Sequence, residues 1–311
     1  MNRTAHDNRI DARDWSLLGL LSVLWSGSFF FNGVVLRELP PLTLVLLRVA
    51  LASIFLLPLL WAYRIELPRG ISGWKPFFAI GLLNNLLPFS LIVAGQTYVP
   101  SGLASILNAT TPLFTVVVMA AAGEENLHSR RIAGVVVGLI GVVILRGWNF
   151  DGAGFWSGQG LGILLCLAGA FSYGLSALVA RRLLSNSPPL GTATFQLLAS
   201  SVMMVFVAGF VDRPWQLPMP GVTTWLAVMG LAALSTALAY IVFFQILRRS
   251  GATNVMLVTL LIPITAIVLG HLVLDEQVSA REIAGALVIG SALLLIDGRV
   301  LEWFRRPAVV Q

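Results

Sequence analysis

PLFTVVVMAAAGEENLHSRRIAGVVVG, residues 112–138, and PITAIVLGHLVLDEQVSAREIAGALVI, residues 263–289, decide the fold. Laid against each other at an offset of 151, they match at Pro112/Pro263, Val117/Val268, Glu125/Glu276, Arg130/Arg281, Ile132/Ile283, Ala133/Ala284, Gly134/Gly285 and Val137/Val288. An offset of 148 pairs Ser28 with Ser176, Leu36 with Leu184, and Pro40, Pro41 and Leu42 with Pro188, Pro189 and Leu190. The chain is therefore two related halves.

Working outward, both halves are apolar almost throughout. Of 311 residues, 57% are hydrophobic and 11% charged, against about 25% charged in a soluble domain, and the mean hydropathy is +0.88. A membrane-spanning helix takes about 20 residues. Apolar runs between polar or Pro/Gly punctuation give ten candidate spans, near 15–35, 42–62, 74–95, 98–121, 130–146, 159–181, 191–210, 222–247, 251–273 and 281–298. No room remains for a sizeable soluble domain. The expected organisation is a tail over 1–14, a first repeat over 15–147, a second over 159–299 and a tail over 300–311. The polar first 14 residues lead into no short apolar stretch with a small-residue cleavage site, which reads as a retained tail and not a signal peptide.

Charge sets the orientation. With the N-terminus in the cytoplasm, 15 of 20 basic residues fall on that side, and only Arg37, Arg48, Arg146, Arg213 and Arg281 fall on the other. The positive-inside rule then places both termini in the cytoplasm. Five spans per half is an odd number, so the second half enters the membrane from the opposite side, giving an inverted repeat of the kind carriers use for alternating access. Trp15, Trp61, Trp74, Trp148, Trp156, Trp215 and Trp303 lie near span ends, where amphipathic rings prefer the interface; Trp25 is mid-span and breaks the pattern.

Other classes fit poorly. One cysteine excludes a disulfide scaffold, no Cys/His spacing resembles a metal site, and no cofactor or metal is expected. The arginines sit at span ends and form no tract, which speaks against nucleic-acid partners. The spans hold no His/Asp/Glu cluster for an enzyme. No loop or tail exceeds about 15 residues for a scaffold to present.

The run WSGSFFFNGVVLRELPPLTLVLLRVALA from Trp25, with the paired segments ending GEENLHSRRIAGVVVGLIGVVILRG and LDEQVSAREIAGALVIGSALLLIDG, resembles the two EamA repeats of the ten-helix drug/metabolite transporter superfamily. The resemblance covers nearly the whole chain and is closest to the YddG-type exporters of aromatic amino acids. It implies a multi-pass carrier of the bacterial inner membrane, often an exporter, for amino acids or other small metabolites.

Polar residues inside a bilayer mark candidate pathways. Trp25, Ser28 and Asn32 share one face of the first span, with Phe29 beside them, and the repeat pairs Trp25 with Tyr173 and Ser28 with Ser176. The third span carries Asn84, Asn85, Pro88 and Phe89; its partner carries Ser235, Thr236 and Tyr240. Spans four and nine carry Asn108, Thr111 and Pro112, and Thr259 and Pro263. Helix interruptions at corresponding positions of two halves point to a transporter's binding site, so Pro88, Pro112 and Pro263 are candidate hinges. The pathway is expected between spans one, three, four, six, eight and nine, with five and ten peripheral. Aromatic rings would stack on a planar substrate and attract an ammonium group, while the Asn, Ser and Thr side chains would bind its polar end.

All 14 acidic residues lie in tails, loops or span ends, which weakens a proton-coupled exporter of cationic drugs. Two other ionisable groups stand out. Arg48, partnered in the repeat by Gln196, either attracts a carboxylate, snorkels outward or satisfies backbone carbonyls. His271, near the outer end of span nine, is an interface residue or the titrating group of a proton antiport. Gly134 with Gly138, and Ala286 with Gly290, give small-xxx-small patterns for an intramolecular pack or a dimer face, so monomer and homodimer both stay open. The expected function is export of a small neutral or zwitterionic metabolite, foremost an aromatic or other large neutral amino acid, down its own gradient. The alternative is a broad-specificity metabolite or drug exporter, proton-coupled through His271.

Overall fold

The computed structural model describes residues 11–126, 128–146, 158–185, 187–255 and 257–297. Most of both tails, the inter-repeat stretch 147–157, and Arg3, Arg9, Trp148, Trp156, Arg299, Trp303, Arg305 and Arg306 lie outside the described residues. Among the described residues all regular structure is helical.

The helices are α1 (Ala12–Val35), α2 (Pro41–Ala62), α3 (Gly70–Gly81), α4 (Leu87–Gly95), α5 (Ser101–Asn108), α6 (Thr111–Ala121), α7 (Ser129–Arg146), α8 (Gly158–Leu183), α9 (Pro189–Val211), α10 (Val222–Ala232), α11 (Ala239–Val255), α12 (Val258–Leu274) and α13 (Ala280–Asp297). Two π-turns, Leu82–Leu86 and Ala233–Leu238, join α3 to α4 and α10 to α11, so the expected spans one to ten correspond in order to the segments α1, α2, α3 with α4, α5 with α6, α7, α8, α9, α10 with α11, α12 and α13. Among the described residues seven stretches are long and apolar enough to cross a membrane, and the shorter Val258–Leu274 is apolar as well. The burial pattern is that of a body in hydrocarbon: Phe206, Phe210, Leu226 and Leu287 are 61 to 80% exposed, whereas Ser26, Asn85, Thr194 and Ser200 are fully buried.

Local sequence explains the ends. Asp11 caps α1, its carboxylate accepting from the Asp14 N–H at 2.7 Å, so this helix begins three residues before the expected Trp15. Pro41 and Pro189 occupy the first turn of α2 and α9, where a missing N–H costs nothing. The eighth segment does not stop at residue 247: α11 runs through Gly251 to Val255. Arg249 holds it there, donating to Asp14 at 3.0 Å and Asp11 at 3.1 Å.

Every principal packing has an image in the other repeat. Segment one lies on segments eight and nine, and segment six on segments three and four; α2 packs on α9, and α7 on α13. Glycines set the tightest seams. A Cβ on Gly134 would meet Ile296 and the Ala292 carbonyl, one on Gly138 would meet Leu113, and one on Gly285 would meet Leu145 and the Gly141 carbonyl, so the first small-residue pattern is spent inside the chain; Gly290 has nothing within 4 Å. Segments three and six likewise meet at Gly95 and Gly162, where a Cβ on Gly95 would come within 2.7 Å of the buried Cys166 Sγ.

Candidate functional site

The centre of the molecule is polar because the helices there are irregular. Pro88 has no N–H to give the carbonyl four residues back, and the π-turn Leu82–Leu86 absorbs the mismatch. At the position 151 residues on, no proline is present; the Thr236 hydroxyl donates instead to the Leu231 carbonyl at 2.8 Å and the helix widens over Ala233–Leu238. Segment four breaks outright between α5 and α6. There the Thr111 hydroxyl takes the Asn108 carbonyl at 2.7 Å, the acceptor that Pro112 cannot serve, and Thr110 takes Leu107 at 2.6 Å. Its counterpart differs from expectation: Pro263 sits inside the continuous helix α12, and the break falls earlier, after Val255. Buried hydroxyls stabilise that stretch, with Ser26 reaching the Ile262 carbonyl at 2.9 Å and Thr265 bonded to both Ser26 and Ser22.

These irregularities surround a cavity of about 460 Å³, within the range of small-molecule sites. It brings together Trp25, Ser28, Phe29 and Asn32 of α1, Asn84 and Phe89 of segment three, Asn108 and Thr111 of segment four, Tyr173 and Ser176 of α8, Ser235, Thr236 and Tyr240 of segment eight, and Thr259 of α12. Trp25, out of place as an interface residue, belongs to this wall. Asn85 corrects the reading: it is fully buried outside the lining and donates to Ser200 Oγ at 3.0 Å. The extra residue of the π-turn rotates neighbouring positions off the regular helical face. Pro88, Pro112 and Pro263 are also outside the lining, and His271 is exposed, its Nδ1 3.1 Å from the Glu276 carbonyl oxygen.

Segments two and seven, not among the spans expected to line the pathway, contribute the cross-links. Arg48 is 6% exposed; its Nε donates to Thr236 Oγ1 at 3.0 Å, its Nη2 to Ser28 Oγ at 3.3 Å, and its guanidinium lies 3.7 Å from the Phe89 ring centroid. It neither snorkels nor serves carbonyls. Its repeat partner Gln196 likewise reaches the π-turned segment of the other half, but as the acceptor, from Asn84 Nδ2 at 3.2 Å, and it donates to Tyr240 Oη at 3.2 Å. Ser176 donates to Asn84 Oδ1 of the other half at 3.0 Å, whereas Ser28 accepts from Arg48 of its own half. Each half thus hydrogen-bonds the π-turned segment of the other. Phe243 and Phe244 also line the cavity and escaped the sequence reading, although spacing of three and four from Tyr240 puts all three on one face. Phe244 stacks on Tyr240 at 6.0 Å and Phe243 lies 5.6 Å from Trp25.

The EamA-like transporter family model matches residues 14–147 and again 160–297. The chain belongs to that family. The EamA-like chain is 26% identical over 294 residues to a probable amino-acid metabolite efflux pump of Escherichia coli, covering 91% of this chain and 94% of that protein. It is 26% identical over 278 residues to the uncharacterized transporter YoaV of Bacillus subtilis, covering 88% and 93%. A solved structure with 19% identity superposes at a TM-score of 0.63, covering 90% of this chain and 96% of its own, and shares the fold. The family is one of membrane transporters, so this is a multi-pass membrane protein.

Proposed function

We propose that the EamA-like chain is an inner-membrane carrier that exports small neutral or zwitterionic metabolites, foremost aromatic or other large neutral amino acids, by alternating access through the central cavity. The observation that carries this is the cavity itself, which sets polar side chains from both repeats among aromatic and other apolar walls. The reading includes ten spans, repeats over 15–147 and 159–299, and both termini in the cytoplasm, supported by the 15-to-5 division of basic residues. It includes the monomer or homodimer as the working unit and the lipid bilayer as its medium. An amino acid's ring suits Trp25, Phe89, Tyr173 and Phe243, and its polar end suits the Asn and Ser/Thr side chains.

Transport is expected to run down the substrate gradient, because among the described residues no carboxylate or histidine lines the cavity. The test is uptake of labelled phenylalanine, tryptophan and threonine into proteoliposomes of purified protein, with and without a pH gradient. Saturable uptake of the aromatics, competed by unlabelled substrate and indifferent to the gradient, is expected. Uptake that appears only with a gradient overturns the uncoupled mechanism, and no uptake of any amino acid overturns the substrate class.

A further inference from the structure

Arg48 is a buried cation with no carboxylate beside it. Among the described residues every ion pair involves other groups, and the partners of Arg48 are two neutral hydroxyls and the Phe89 ring. A guanidinium has five N–H donors; two are used here, and Arg48 lines the cavity. Burying a charge without compensation is strongly unfavourable. If Arg48 were needed only to tie segments together, an uncharged amide would serve, and its repeat partner Gln196 does that work in the other half. The charge therefore answers to something that enters the cavity.

The opposite chemistry is present too. Asn32 is 2% exposed, lines the cavity, and its Oδ1 has no hydrogen-bond partner. Its orientation follows from its neighbours. The Phe29 carbonyl only accepts, so Gln96 must turn its Nε2 toward it, at 3.0 Å. Gln96 Oε1 then faces Asn32, which must present Nδ2, at 2.8 Å. That leaves the Asn32 amide oxygen bare. Asn108 Oδ1 and Ser235 Oγ, also in the lining, lack partners as well. The bare amide oxygens of Asn32 and Asn108 suit an ammonium group and do nothing for a second anion, whereas the Ser235 hydroxyl can donate or accept.

We infer that Arg48 is the carboxylate-binding residue of the cavity, that the transported molecules must carry a carboxylate, and that Asn32 and Asn108 receive an ammonium group where there is one. This rests on the carrier reading but narrows it to zwitterions and monocarboxylates. Uncharged or amine-only compounds, which the broad drug-exporter alternative would admit, are excluded.

Matched sets test it, each an acid, its amide and its decarboxylated amine: phenylalanine, phenylalaninamide and phenethylamine, with the corresponding leucine and threonine sets. Thermal stabilisation of the purified full chain is measured in sulfate and in chloride, with no carboxylate in the buffer, and uptake is measured in proteoliposomes. The acids are expected to bind at least about tenfold more tightly than their amides and amines, the loss associated with one hydrogen-bonded charge. That difference is expected to vanish in Arg48→Gln and persist weakly in Arg48→Lys. Equal binding of acid and amine by the unaltered chain, or an undiminished preference for acids in a folded Arg48→Gln variant, overturns the inference. So does stabilisation by no acid at all, or saturation of the site by chloride alone. Because the unaltered chain carries the main comparison, misfolding of a variant does not remove the test. Acids that bind but are not transported would refute the carrier reading and leave Arg48 in place; transport indifferent to the carboxylate would do the reverse.

Discussion

Adjacent asparagines do different work. Asn84 lines the cavity and holds Gln196, Tyr240 and Ser176, whereas Asn85 lies outside the lining, donating to Ser200 and accepting from Tyr240 Oη at 3.4 Å. Asn84→Ala is expected to lower uptake per folded protein at least about tenfold, with a small loss of stability. Asn85→Ala leaves the buried Ser200 hydroxyl with one partner fewer, a loss of about 1–3 kcal/mol, and is expected to act mainly on the thermal unfolding midpoint. Both readouts on both variants check this; matching profiles would show that the π-turn does not separate the two roles. Much at this scale was legible in the sequence, because a polar atom in hydrocarbon needs a partner and repeat-related positions such as Ser28 and Ser176 corroborate each other. Asn85 was not, since a π-turn shifts side-chain directions without a signature in residue type. Nor was the role of Arg48, which needed the location of Thr236 and Phe89 from distant segments.

At the scale of elements, equivalent prolines have unequal consequences. Near Pro112, Thr110 and Thr111 offer side-chain hydroxyls to the freed carbonyls and the helix parts; before Pro263 stand Leu260, Leu261 and Ile262, which offer none, and the helix continues. Sequence showed two prolines in register, but whether a helix breaks depends on which neighbours can replace the missing bond. Pro112→Ala is therefore expected to slow uptake severalfold with little change in unfolding temperature, and Pro263→Ala to change uptake less. Initial rates and thermal unfolding measured side by side decide it; equal slowing by both would remove the break between α5 and α6 from the transport cycle. The seam of α7 and α13 is a separate matter, being pure packing. Gly285→Val, which would thrust a side chain into Leu145 and the Gly141 carbonyl, is expected to cost about 1–3 kcal/mol, as overpacking does, and to lower the yield of folded protein without altering substrate preference.

Over the whole molecule, the Arg-rich ends of the helices are held by ion pairs outside the apolar body. Arg182 donates to Glu124 at 2.7 Å and Arg181 lies 3.5 Å from it, while Arg131 and Arg181 engage Glu125. Chiefly through the Arg182 hydrogen bond, the Glu124 carboxyl is held below its ordinary value. A lowered folded-state pKa means that the contribution is complete above the unfolded value and lost as pH falls through the folded one. Stability is thus expected to be flat from pH 6 to 8 in this respect and to decline in the acid range below about 4.5, the ordinary value. In Glu124→Gln that decline should be shallower, which thermal unfolding across pH would show; an identical acid limb in both proteins would assign the decline elsewhere.

The seam where Gly95 meets the Cys166 thiol has a practical side. Cys166 is the only cysteine of the chain, and it is sealed against segment three. A membrane-permeant thiol reagent can reach it only while segments three and six stand apart, so its labelling rate measures how often they part. The molecule carries a native reporter of its own opening, readable by mass without altering a residue.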